Sequence, residues 1–132
     1  MTQTLKINIT SLNPDRFAKD ASSTATGATV DQSGNISLQN VTDTVVISWK
    51  LADSLGQTFE SIGSTTGPIK FRTIGSPPSA PASGIFSTPT LSTDSKTVSV
   101  TDANGNGAAE KSFTYTLYES HGPDDPTIRN RN

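Results

Sequence analysis

The chain has 132 residues, of which 31% are hydrophobic, 17% charged and 6% aromatic; this length suits one domain, because two cores of about 60 residues would each be marginal. Ten basic against twelve acidic residues leave a net charge of -2, which carries no electrostatic footprint for nucleic acid or for an anionic membrane surface. Cysteine is absent, which excludes disulfides, a thiol nucleophile and thiolate metal sites, and no apolar run approaches the roughly 18 residues of a membrane helix.

Residues 4–10 alternate from the start, with Leu5, Ile7 and Ile9 on one face and Thr4, Lys6, Asn8 and Thr10 on the other. Period two with one apolar face describes a half-buried strand. It is not the basic segment and apolar run of a secretory signal, so the expected compartment is cytoplasmic, or secreted if a leader has been removed. Pro14 to Asp20 is the best candidate for a helical turn, and Ala21 to Gly27, nearly all Ala, Ser and Thr, reads as a mobile loop. Short strands are expected at 28–31 and 35–39, joined by a tight hairpin at Gln32-Ser33-Gly34-Asn35.

Residues 44–52 repeat the alternation more strongly, with Val45, Ile47, Trp49 and Leu51 facing one way. Trp49, mid-strand and in register with these, is expected in the core rather than on a sugar-stacking surface. Weaker strands follow at 57–62, 67–73 and 85–92. Between the last two, residues 73–84 hold three prolines in five residues, an extended backbone that cannot donate to a ladder. This segment is expected to cross the surface between two sheets. Strong strands return at 96–101, around Val98 and Val100, and at 111–119, around Phe113, Tyr115 and Leu117. The turn cluster Asp102 to Gly107 lies between them.

Ser and Thr make up 38 of the 132 residues, and no segment sustains helical periodicity. Several short strands separated by turn chemistry predict an all-β fold, an Ig-like antiparallel β-sandwich of about seven to eight strands spanning residues 1–132.

Candidate chemistry is sparse. Asp102, Asn104, Asn106 and Gly107 reproduce the opening of a calcium loop, since oxygen ligands at alternating positions can converge on one cation. The bidentate acid is missing, because Phe113 stands at the twelfth position, so a hairpin turn between the two strands explains these residues more simply. His121, the only histidine, lies in a Pro-bounded turn without a nucleophile motif. Asp124 and Asp125, with Glu119 and His121, form a small acidic patch that suits either a divalent ion or the capping of backbone amides. No cofactor is expected, and no phosphate loop, His-Glu-x-x-His or dinucleotide fingerprint occurs.

The C-terminal segment, Phe113-Thr114-Tyr115-Thr116-Leu117-Tyr118 followed by Asp125-Pro126-Thr127-Ile128-Arg129-Asn130, resembles small uncharacterised bacterial Ig-like proteins of the DP-EP type. The resemblance spans about 20 residues and implies a small β-sandwich with no established activity. Ile128 is expected to tuck under the sandwich while Pro126 ends strand pairing and protects an edge.

Taken with the fold class, these observations favour a non-enzymatic binding or structural module. It would act through loops, chiefly 73–84 and 102–107, or through a strand edge. The partner would be an unknown protein or a second copy, with no nucleic acid and no membrane insertion. The alternative is a small-ligand or carbohydrate-binding module, calcium-assisted at Asp102, Asn104 and Asn106.

Overall fold

Alternating side chains can be satisfied only if each apolar row meets another across a gap, and two stacked sheets provide that gap. The computed structural model describes residues 2–12, 14–74, 78–105, 112–119 and 126–130. Its strands are β1 (Gln3–Ser11), β2 (Arg16–Lys19), β3 (Thr29–Val30), β4 (Ile36–Ser37), β5 (Val45–Leu51), β6 (Ile69–Thr73), β7 (Thr90–Leu91), β8 (Thr97–Asp102), β9 (Ser112–Leu117) and β10 (Thr127–Arg129). One sheet runs β2-β1-β5-β8-β7 and the other β3-β4-β10-β9-β6. The protein is therefore an all-β sandwich of two five-stranded sheets.

The four strongest alternating runs supply the core. Leu5, Ile7 and Ile9 of β1, Val45 to Leu51 of β5, Val98 and Val100 of β8, and Phe113, Tyr115 and Leu117 of β9 are all buried. Rows align across strands: Ile7 pairs with Trp49, and Trp49 with Val98. Trp49 is fully buried and donates its indole N–H to the Tyr115 hydroxyl at 3.2 Å, while that hydroxyl donates to the Gly34 carbonyl. The pair thus fills the core with two large rings and leaves neither polar tip unpaired.

Several expectations are corrected. The sheets are mixed rather than purely antiparallel, since β1 runs parallel to β5 and β10 parallel to β4. Ten strands lie among the described residues, where seven or eight were expected. Residues 14–20 supply strand β2 instead of a helical turn. Phe17 is their only large apolar residue, and it reaches the core by pairing opposite Ile9. The 20–28 segment is anchored, because the Thr24 and Ala25 amides donate to the Thr4 carbonyl and Lys19 Nζ donates to the carbonyls of Ala25 and Ala28. Residues 57–62 give only an isolated bridge between Phe59 and Glu119.

The turn cluster after Asp102 does not close a hairpin, since β8 and β9 lie in different sheets. Pro126 does not guard an edge either. It leads into β10, which sits between β4 and β9, with Ile128 fully buried. The 73–84 segment does cross between sheets. It leaves β6, and the chain reaches the other sheet at Phe86, which bridges to Asp102.

Candidate functional site

The sandwich has two long sides, and its backbone edges are finished differently on each. On one side, strand β2 meets the β3–β4 hairpin: the Phe17 amide donates to the Gln32 carbonyl at 3.0 Å, tying one sheet to the other. On the opposite side, β6 ends its sheet, with β9 as its only strand partner among the described residues. The Tyr118 amide donates to the Pro68 carbonyl. By antiparallel alternation, Lys70 and Arg72 therefore bond to β9 while Ile69, Phe71 and Thr73 turn their backbone groups outward. The outward amide of Thr73 is taken by the Ser79 carbonyl at 2.7 Å. Among the described residues, nothing pairs with the outward backbone of Ile69 and Phe71.

Beside this edge lies a groove of about 270 Å³, lined by Ile69, Lys70, Phe71, Pro81, Phe86 and Pro89 among others. Its shape follows from the crossover. The Phe86 ring stacks on Phe71 at 4.0 Å with planes 6° apart, and Phe86 also meets Phe113 edge-on at 5.0 Å. These contacts bring the two sheet edges together at an aromatic floor, while the prolines on the rim cannot donate hydrogen bonds. On the outer face of β6, Lys70 lies opposite Thr116 and Arg72 opposite Thr114. Lys70 is exposed and Arg72 half-buried. Neither makes an ion pair with a described residue.

Of the residues singled out from the sequence, the described ones, Asp102 and Asn104, do not line this groove. Asp102 continues the inward row of Val98 and Val100 and is fully buried. One of its oxygens accepts from the Asn104 amide at 2.8 Å and from Asn130 Nδ2 at 3.0 Å. Asn104 is also fully buried, at φ 49, and its side-chain amide donates to the carbonyls of Val41 and Asp43. These two residues therefore anchor the start of the crossover to the body of the sandwich. Burial pushes the Asp102 carboxyl up to about 7, against the downward pull of the Asn104 and Asn130 hydrogen bonds. Among the described residues, its second oxygen and the Asn130 side-chain oxygen have no hydrogen-bond partner, and protonating Asp102 removes one acceptor from this surplus.

Asn106, His121, Asp124 and Asp125 lie outside the described residues. Among the described residues, no group of three His, Cys, Asp or Glu side chains could hold a metal ion. Nor is any described helix long and apolar enough to cross a membrane. Part of the 73–84 segment does line the groove, at Pro81, Ala82 and Ser83. The β6 edge itself went unselected from the sequence. The only available signal was Lys70 and Arg72 alternating with Ile69 and Phe71, and edge position is not written in that pattern.

Neither protein families nor curated proteins yield a match to this sequence.

Proposed function

We propose that the chain is a non-enzymatic binding module of the Ig-like sandwich type, which receives a strand from another polypeptide on the β6 edge. The observation that carries this reading is the outward backbone of Ile69 and Phe71 beside an apolar groove. Strand addition uses main-chain hydrogen bonds for affinity and pockets for alternate side chains for selectivity, and this edge offers both. The other edges offer less. β3 and β7 have two residues each, Pro89 immediately precedes β7, and β2 is tied to Gln32. The C-terminal likeness to DP-EP proteins implies a small β-sandwich with no established activity.

Amide hydrogen exchange, followed by NMR with and without a short peptide of alternating valine and threonine, tests this reading. In the isolated chain, the Ile69 and Phe71 amides should exchange faster than those of Lys70 and Arg72. They should become protected when the peptide is added. Equal protection of all four in the isolated chain, or no response to any strand-forming peptide, would defeat it.

A further inference from the structure

We infer that the strand received on β6 comes from a partner protein and alternates apolar with acidic residues. This rests on the β6 edge being a strand acceptor and specifies what it accepts.

Register decides what the edge can accept. An added strand presents successive side chains to opposite faces, so its residues on the core-facing side share the side of Ile69 and Phe71. There they meet the stacked rings of Phe71 and Phe86 and the rims at Pro81 and Pro89, a setting for apolar side chains. The intervening residues share the side of Lys70 and Arg72. These two cations are two positions apart on one face and have only threonines opposite them on β9. Neither has an acidic partner among the described residues. Two acidic residues, also two positions apart on the incoming strand, would stand directly beside them, where opposite charges are favourable.

The same geometry argues against a second copy of this chain. An antiparallel copy paired about Phe71 sets Lys70 opposite the other copy's Arg72. Sliding one strand so that pairing centres on Lys70 sets lysine opposite lysine, and centring on Arg72 sets arginine opposite arginine. These three registers place like charges side by side on the outer face, which disfavours pairing. The whole chain carries a net charge of -2, so this basic edge runs against the overall balance.

The test uses isotopically labelled chain and three short peptides at up to millimolar concentration: alternating valine–glutamate, valine–threonine and valine–lysine. The glutamate peptide should shift the Ile69 and Phe71 amide resonances and bind about tenfold more tightly than the lysine peptide, the effect of two cross-strand charge pairs. The double variant Lys70→Glu, Arg72→Glu should reverse that order, and Lys70→Gln, Arg72→Gln should abolish it. If the three peptides bind alike, or the lysine peptide binds best, the acidic occupant is wrong while the edge reading stands. If none of them moves the two amides, the edge reading falls and takes this inference with it. A concentration-dependent dimer that protects those amides would make a second copy the occupant and overturn the proposal.

Discussion

The two long sides of the sandwich are built from the same kinds of strand and end differently. On the closed side, a backbone hydrogen bond from Phe17 to Gln32 joins the sheets, and the Gly34 carbonyl receives the Tyr115 hydroxyl. On the open side, the crossover with its aromatic stack and the Phe59–Glu60 backbone, whose amides donate to the carbonyls of Ser95 and Tyr118, span the sheets, and β6 keeps two residues of outward backbone. The difference teaches where interaction can fall. An edge whose polar groups are consumed internally is finished, whereas one beside an apolar groove can still extend its sheet.

Two glycines put the comparison most directly, because both stand at φ 89. A methyl group on Gly34 would lie 2.8 Å from the Phe17 ring, whereas one on Gly84, in the crossover, would meet nothing within 4 Å. Gly34→Ala should therefore cost about 2–6 kcal/mol, combining backbone strain with overpacking on the closed side. Gly84→Ala should cost only the backbone share, about 1 kcal/mol. Urea denaturation of both variants checks this, and equal losses would break the distinction between the sides.

The buried carboxyl near the open side supplies the next effect. The Asp102 pKa of about 7 in the folded chain lies above its ordinary 3.8, so the native state holds a proton that the unfolded chain releases. The contribution of Asp102 to stability should be full below about pH 4, fall between about pH 4 and pH 7, and be lost above that. Asp102→Asn keeps an oxygen to accept from Asn104 and Asn130. It should flatten the slope and gain on the order of a few kcal/mol at about pH 8. Denaturation midpoints measured across this range decide the matter.

Smaller again, Tyr115→Phe should cost about 2–3 kcal/mol by leaving the Trp49 indole N–H and the Gly34 carbonyl without their shared hydroxyl. Thermal and urea unfolding would show it, together with a changed tryptophan emission. The smallest effect belongs to the open edge. Lys70→Glu with Arg72→Glu should alter folding stability by less than about 0.5 kcal/mol, since neither side chain has an ion pair among the described residues to lose. A large loss would mean that these cations serve the fold rather than a partner.

Much of the fold was legible because period-two alternation fixes which side chains face inward. The rows through Leu5, Val45, Val98 and Phe113 were readable as strands, and their residues form the core. Phe17 alone could not announce β2, whose burial depends on Ile9 across the sheet. Residues 127–129 were similarly quiet, with Ile128 as their one apolar side chain. The Asn and Gly residues after Asp102 announced a change of direction, but local turn chemistry does not say which sheet the chain enters next. Asp102 itself was within reach: carrying the Val98–Val100 alternation one step further places it inside. The β6 edge was beyond reach, because whether a strand has one neighbour or two is a property of the assembled sheet.

The place of β10 has a consequence for how the protein is made. β4 and β9 are not neighbours; β10 stands between them and pairs with both, in parallel to one and antiparallel to the other. During synthesis, the β3–β4 hairpin and the β6–β9 pair therefore cannot join into one sheet until residues 127–129 leave the ribosome. Until then, each presents a raw strand edge to the crowded surroundings. This closure joins Ile128 to Ile36 across a long sequence separation, so folding should be slow.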